Sequence, residues 1–232
     1  MHSPTCEHCA SRLKSVFCDM NKEELEKLSD SKKCIRYGKG QFIFHEGSMP
    51  YGVYCVNDGK IKVSKIGDTG KEQILRLVNS GDVLGYRSLL GNESYNASAV
   101  AMEDSAICFI PKDVFLAMVD RSRNLSRKII ELLSHNLSFA ENQVIHIAQK
   151  SVRERVAETI LLLKETYGFE VDDSTLNITL TRDDIANLVG TATESVIRTL
   201  SEFSKENLVE LKGKKIKITD YSKLLHIANL YN

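Results

Sequence analysis

Residues able to read nucleic acid share one face of a short helix predicted near the C-terminal end of the sequence. Glu194, Arg198 and Ser201 recur at steps of four and three residues, so they lie on the same side of that helix. Arginine can pair with guanine O6 and N7, glutamate can accept from cytosine N4, and an apolar side chain such as Ile197 can contact a thymine methyl group. The pattern therefore indicates a surface that contacts base edges in the major groove.

The residues around this face predict a helix-turn-helix. Thr181 with Asp184 resembles a capping box at the start of a first helix, and Gly190 can end that helix in a left-handed turn. Thr191 with Glu194 has the pattern of a second capping box, T-x-x-E, which would start the next helix. The second helix would bury the stripe opposite the charged face, through Val196, Leu200 and Phe203.

A lysine-rich hairpin is predicted directly after the second helix. Lys212, Lys214, Lys215 and Lys217 surround Gly213, and the apolar Ile216 and Ile218 alternate with them. Lysines on such a wing would meet phosphates and give salt-sensitive affinity that does not depend on base sequence. The predicted DNA contacts are Thr181, Arg182, Thr191, Thr193, Glu194, Ser195, Ile197, Arg198, Lys212, Lys214 and Lys215.

Each part of this surface has a simpler interpretation. Glu194 could do no more than cap its helix. Arg198 could be a solvated charge or an i,i+4 partner of Glu194. The hairpin could be an edge that only improves solubility.

The composition describes an ordinary globular protein. The chain has 232 residues, with 31 basic and 31 acidic side chains, so its net charge is zero and any positive charge must be local. No run of 18 apolar residues exists and the first ten residues lack the apolar core of a signal peptide, which predicts a cytoplasmic protein without a membrane partner. The six cysteines should then stay reduced. The absence of phosphate-loop, G-x-S-x-G and H-E-x-x-H motifs argues against an enzyme.

Residues 31–111 are typical of a β-barrel or jelly roll. Short β-branched and aromatic runs alternate there with closely spaced glycines, and the turn signals at 58–59 and 68–70 separate alternating segments. The predicted organisation is α+β. An N-terminal cysteine-bearing segment with a short helix (1–30) precedes a double-stranded β-roll sensor (31–111). Helices that include a dimerisation helix follow (112–150), and a winged helix-turn-helix ends the chain (151–232).

The long helix predicted over residues 125–149 carries an apolar seam. Its members recur at steps of three and four residues, as in a coiled coil, and are Ile130, Leu133, Leu137, Ala140, Val144 and Ile147. Such a seam needs a partner. The helix could pack on its own β domain, or it could pair with a second copy across a two-fold axis, which is the interpretation we favour.

The combination of a β-roll, a long helix with an apolar seam and a winged helix-turn-helix makes residues 21–225 resemble the CRP/FNR family of bacterial transcription regulators. Glu194, Ser195, Val196 and Arg198 match the family's recognition motif E-[ST]-[VI]-x-R, with Ile197 at its variable position. The resemblance implies a homodimer, a palindromic site in double-stranded DNA, and contact with RNA polymerase. The competing interpretation is a ligand-binding signalling module without DNA function, which would need neither the helix-turn-helix nor the basic wing.

The resemblance also locates an effector pocket. Cyclic-AMP receptors of the family have a Gly-Glu pair and a later Arg-Ser pair, whereas this chain has Gly85, Tyr86, Arg87 and Ser88, followed by Asn96 and Ala97. The ribose-binding glutamate and the phosphate-binding arginine are both missing from the matching positions. A buried phosphate would be poorly stabilised there, so cyclic AMP is not the expected effector.

The cysteines resemble those of the oxygen-sensing branch of the family, which holds a [4Fe–4S] cluster through three N-terminal cysteines and a fourth at the end of the roll. Cys6, Cys9, Cys18 and Cys108 are the candidate ligands here, although eight residues separate Cys9 from Cys18 where the branch has five. Cys6 and Cys9 with His2 or His8 could instead hold zinc or form a thiol switch. The four cysteines could also have no metal role, in which case the β-roll would sense another small ligand, such as a haem-linked one, or none. Cys34 and Cys55 would be small buried hydrophobes.

Overall fold

The chain divides into two units in the computed structural model, which describes residues 5–230. The first unit comprises the described residues up to 70 together with 75–138, and the second comprises 71–74 together with the described residues from 139 onward. The predicted α+β class, with a β-roll, a long helix and a winged helix-turn-helix, is confirmed. No helix within residues 5–230 is long and apolar enough to cross a membrane.

Two four-stranded sheets form the β-roll. Their strands are β1 (Lys33–Tyr37), β2 (Phe42–Phe44), β3 (Gly52–Asp58), β4 (Ile61–Ile66), β5 (Glu72–Val78), β6 (Val83–Leu84), β7 (Ser98–Ala101) and β8 (Ser105–Pro111). The strand orders are β1-β8-β3-β6 and β2-β7-β4-β5. Residues of both sheets fill the space between them, among them Ile43, Val56, Ile61, Leu84 and Ile107. Side chains that alternate with these on β3 and β8 face away from this core.

A second core covers that other face of the β1-β8-β3-β6 sheet. It joins Val53 and Ile110 of the sheet to Phe17 of the N-terminal segment and to Phe115 and Leu125 of the helices that follow the roll. The N-terminal segment contains two 3-10 helices, Cys6–His8 and Ala10–Lys14. The α-helices of this part are α1 (Lys22–Ser31), α2 (Tyr86–Leu90), α3 (Lys112–Arg121) and α4 (Arg123–Gln149).

Helix α4 presents most of the predicted seam to solvent. Leu125 and Ile129 are buried on one side near its start. Leu137 and Val144, in contrast, are 62% and 69% exposed, and Ile130, Ala140 and Ile147 are exposed as well. Leu133 differs from the other seam residues, because it is half-buried against the core of its own unit.

The C-terminal part begins with α5 (Val152–Tyr167), which a Ser151–Glu154 capping box starts. The elements after it are α6 (Arg182–Val189), α7 (Thr193–Lys205), β9 (Val209–Lys212), β10 (Lys215–Ile218) and α8 (Tyr221–Ile227). Sequence reasoning missed α8. Asp220 caps it by accepting from the Lys223 amide, and Leu224 is fully buried, so the D-x-x-K-L pattern was the available signal.

Candidate nucleic-acid interface and cysteine cavity

The first helix of the predicted motif starts and ends as expected. The Thr181 hydroxyl accepts from the Asp184 amide at 3.0 Å, and the Asp184 carboxylate accepts from the Thr181 amide at 3.0 Å, which completes a capping box. Gly190 ends α6 with φ 70° and ψ 47°, a left-handed conformation that favours glycine. The turn needed between the two helices is therefore encoded locally.

The second predicted capping box is wrong. The N-cap of α7 is Ala192, without a side-chain cap, and Thr191 belongs to the turn that closes α6, since its amide donates to the Ala186 carbonyl. The Thr193 hydroxyl instead donates to the Asp183 carboxylate at 2.7 Å and so connects α7 to α6. Glu194 is consequently free of the capping role that was its simpler interpretation.

The two faces of α7 differ as the spacing predicts. Val196, Leu200 and Phe203 are fully buried. On the opposite side Glu194 and Arg198 are exposed, and Ile197 is 48% exposed. Within residues 5–230 neither charged side chain forms a hydrogen bond or ion pair, so the alternative of a Glu194–Arg198 pair is not observed. Ser195 is half-buried, and the Ser201 hydroxyl donates to the Ile197 carbonyl.

The lysine hairpin is formed by β9 and β10, with Lys212 opposite Lys215 and Gly213 at the turn with φ 59°. Lys212 pairs with Glu210 at 3.0 Å, and Lys215 pairs with Glu170 at 2.8 Å. Lys214, at the tip, is exposed and has no acidic partner in the described part of the chain. The charge at the tip of the wing is therefore not neutralised by a carboxylate of the described residues.

Two arginines fix the elements of this motif. Arg182 donates through Nη2 to the Gly213 carbonyl at 3.1 Å, which ties α6 to the hairpin turn, and burial lowers the pKa of its guanidinium. Arg153 of α5 pairs with Glu206 at 2.6 Å and lies 4.8 Å above the centre of the Phe203 ring. Sequence reasoning missed Arg153, because nothing in the spacing relates α5 to α7.

The predicted effector segment is largely packed. Tyr86 and Ser88 of α2 are buried, Ala97 is buried, and Asn96 is exposed. The Asn136 amide of α4 donates to the Tyr86 hydroxyl. Gly85 has φ 82° at the N-cap of α2. Arg87 is about half exposed and faces Glu93 at 3.6 Å, so it supplies no buried charge for a phosphate.

Aromatic side chains pack inside the roll next to this segment. The Tyr95 ring stacks on Phe44 at 3.9 Å between centroids, and Tyr54 lies between Phe44 and Phe109 at 5.7 Å and 5.1 Å. The Tyr95 hydroxyl is buried without a hydrogen-bond partner in the described residues, and burial raises its pKa. This interior is apolar and aromatic, which suits a nucleotide phosphate poorly.

Four cysteines line one cavity of about 40 Å³ beneath the N-terminal segment: Cys6, Cys9, Cys55 and Cys108. Cys108 forms a disulfide with Cys34. The expectation that all six cysteines stay reduced, and that Cys34 is only a small hydrophobe, is therefore wrong. The reason is that β1 and β8 are antiparallel neighbours whose register places Cys34 directly opposite Cys108. Cys55 remains a free thiol, partly buried against the second core.

Cys18 lies apart from this cavity. Its carbonyl accepts from Arg12 Nη1 at 2.7 Å, and Cys18 is absent from the cavity lining. His8 approaches the Thr5 hydroxyl at 3.0 Å, whereas His2 lies outside the described residues. Across residues 5–230 no group of three or more His, Cys, Asp and Glu side chains is placed to hold a metal ion.

Comparisons with known families match both parts of the chain. A cyclic nucleotide-binding domain matches residues 34–122, and a Crp-like helix-turn-helix domain matches residues 154–227. The Electron transport regulator A of Shewanella oneidensis is 30% identical over 96% of this chain and 90% of its own length. The Fumarate and nitrate reduction regulatory protein of Vibrio cholerae is 28% identical over 97% of this chain and 90% of its own.

Solved structures agree on the fold. FixK2 from Bradyrhizobium japonicum superposes with a TM-score of 0.76 at 23% identity, over 84% of this chain and 96% of that one. A CooA mutant from Carboxydothermus hydrogenoformans gives 0.74 at 21% identity, over 95% of each chain. The α7 face with Glu194 and Arg198 is exposed, and the relatives named above are regulators that match this chain over most of their length. The chain is a DNA-binding transcription regulator rather than an enzyme, and it belongs to the CRP/FNR family.

Proposed function

We propose that the protein acts as a homodimer that reads a palindromic site in double-stranded DNA and responds to redox conditions. The observation that carries the DNA part is the α7 face opposite a fully buried stripe. Glu194, Ile197 and Arg198 are exposed there, and the two charged side chains have no hydrogen bond or ion pair within residues 5–230. The exposed isoleucine between two charged residues suits contact with base edges, where an apolar side chain can meet a thymine methyl group. In this proposal residues 31–111 sense the signal, 112–150 connect and dimerise, and 151–232 read DNA.

The dimer interface in this proposal is the α4 seam. Five of its six members are exposed, and together they leave an apolar stripe on a helix of 27 residues. A long apolar stripe in water is stabilised by pairing with an equivalent stripe, and a two-fold dimer offers one. Two recognition helices related by that axis would contact two half-sites, so we expect the operator to be palindromic. Contact with RNA polymerase belongs to the same proposal.

Replacing Arg198 with alanine should weaken binding to the operator by about 1–3 kcal/mol and relax specificity at one base pair. The operator is first obtained by selecting duplexes from a random library with the purified protein. Binding of the wild type and of Arg198→Ala is then measured at one salt concentration, on the selected site and on random DNA.

Lys214→Ala is the matched control for that experiment. It removes one exposed charge from the wing and should weaken both DNAs alike, with a shallower salt dependence. If Arg198→Ala lowered affinity for the selected site and for random DNA by the same factor, Arg198 would contact phosphate, and the proposal that it reads a base would be wrong.

The redox part of the proposal draws on the relatives, whose names concern electron transport and fumarate and nitrate reduction. An iron–sulfur cluster does not fit the predicted ligands in this arrangement. Cys18 is outside the cavity that Cys6, Cys9 and Cys108 share, and that cavity, with a volume of about 40 Å³, has room for only a few water molecules. The thiols themselves are the better candidates for the response.

Protein purified without oxygen should therefore contain less than one iron atom and less than one acid-labile sulfide per chain. The measurement is elemental and sulfide analysis, together with a visible absorption spectrum. Four irons and four sulfides per chain, together with a coloured protein, would contradict this and would assign the N-terminal cysteines to a [4Fe–4S] cluster.

A further inference from the structure

Three cysteines lie side by side across three adjacent strands, and this set is called the cysteine row. In the register of the sheet Cys34 of β1 is opposite Cys108 of β8, and Cys55 of β3 is opposite Cys108 from the other side. Directly opposite residues in antiparallel strands have side chains on the same face, within contact distance. Cys108 can thus bond to a neighbour on either side without any change in backbone register.

The two neighbours of Cys108 differ in chemistry. Burial raises the pKa of the Cys55 thiol, so Cys55 stays protonated at neutral pH and is a poor nucleophile. Cys34 lies on β1, the edge strand of the sheet, and is only partly buried, whereas Cys108 is 5% exposed. A small thiol or disulfide arriving from solvent therefore reaches the sulfur of Cys34 before that of Cys108.

The N-terminal segment covers the same face of the sheet. The Cys9 thiol donates to the Asn57 side chain at 3.2 Å, and Ser11 donates to the Asn57 carbonyl at 2.5 Å. Arg12 holds the turn by donating to the Cys6 carbonyl at 2.9 Å. Cys6 and Cys9 then share a cavity with Cys55 and Cys108. The covering segment is secured by these polar contacts, and the cavity beneath it is lined by Cys55 and Cys108 but not by Cys34.

We propose that Cys34 and Cys108 form a reversible oxidation site whose co-reactants are low-molecular-weight disulfides and thiols, and that its state sets DNA affinity. This deepens the proposed function and depends on it. In oxidation, the Cys34 thiolate attacks a small disulfide, forms a mixed disulfide and releases one thiol. Cys108 then attacks the Cys34 sulfur, releases the second thiol and completes the protein disulfide. The two cysteines lose two protons and two electrons, and the small disulfide becomes two thiols.

The reverse path starts at the same sulfur. A small thiolate attacks the Cys34 sulfur and releases Cys108 as a thiolate, which takes up a proton. A second small thiol then attacks the mixed disulfide on Cys34, frees the Cys34 thiol and leaves as a small disulfide joined to the first. The bond joins β1, where the roll begins, to β8, which leads directly into α3 and then α4. Its formation or loss therefore acts on the strand that connects the roll to the helices that follow it.

The test maps the disulfide and measures DNA binding on the same samples of full-length protein. One sample is treated with glutathione disulfide and another with dithiothreitol, and free thiols are blocked with iodoacetamide. Trypsin places the three members of the row in separate peptides, 34–36, 40–60 and 88–112, so mass spectrometry identifies every pairing. We expect the 34–36 and 88–112 peptides to be linked after oxidation and alkylated after reduction. Affinity for the selected operator should differ at least about fivefold between the two states.

Two variants make the result specific. Cys34→Ser should bind DNA with the same affinity in both treatments, while Cys18→Ser, outside the row and the cavity, should keep both the disulfide and the fivefold response. The proposal is overturned if Cys34 is fully alkylated after oxidation, if Cys108 pairs elsewhere, or if the linked and reduced proteins bind DNA equally. Failure to bind any selected DNA in either state would instead contradict the proposed function, since the peptide map is read independently.

Discussion

Replacing Leu137 with glutamate should convert the protein to a monomer and lower its affinity for a palindromic operator by about a hundredfold or more. Leu137 is 62% exposed in the middle of the α4 seam, so the substitution costs the single chain little. In a dimer it would bury two like charges near the two-fold axis, which is strongly unfavourable. A monomer would also lose the gain from holding two half-site contacts at once, which is typically 10²–10⁴-fold.

Sedimentation velocity and operator binding, measured at the same protein concentration, check this prediction. Ser138→Glu is the matched control, because it adds the same charge one residue away on an exposed position outside the seam. It should leave both the mass and the affinity unchanged. A Leu137→Glu protein that remained dimeric would show that α4 does not form the interface.

Phe203→Ala should reduce the free energy of unfolding of the DNA-binding part by about 3–5 kcal/mol. The Phe203 ring is fully buried between α7 and its neighbours. The guanidinium carbon of Arg153 lies over the ring, 4.8 Å from its centre. Truncation leaves a cavity that rigid helices cannot fill, and it removes the cation–π contact. The reading face of α7 would lose its support, so operator binding should fall together with stability.

Urea unfolding followed by circular dichroism gives the stability, and operator binding is measured on the same preparation. Ile197→Ala is the control on the same helix. Since Ile197 is 48% exposed, its truncation should cost less than about 1 kcal/mol of stability while still weakening operator binding. An equal loss of stability in both variants would mean that α7 does not have one buried face, with Phe203, and one exposed face, with Ile197.

Sequence reasoning reached the two faces of α7 because helical periodicity alone separates Val196, Leu200 and Phe203 from Glu194 and Arg198. It failed at the start of the same helix. The T-x-x-E pattern at Thr191 has the right residues for a capping box, but the left-handed turn at Gly190 draws the Thr191 amide onto α6. A local motif was overridden by the turn that precedes it.

The cysteine chemistry could not be predicted for a different reason. Cys34 and Cys108 are 74 residues apart, and only the strand register brings them together. Disulfide connectivity does not follow from cysteine spacing alone. Arg153 is similar, since its contacts with Glu206 and Phe203 depend on how α5 packs against α7. The sequence identifies these residues, but it does not show which residues far along the chain they contact.

The bond between Cys34 and Cys108 also changes the topology of the chain. It closes a covalent ring that contains every strand of the β-roll from β1 to β8. An unfolded roll in the oxidised protein is thus a loop with joined ends, not an open chain. For a ring of this length the lost chain entropy of the unfolded state corresponds to about 4.5 kcal/mol. The oxidised and reduced proteins therefore unfold to two different ensembles, and the closed one has the lower chain entropy.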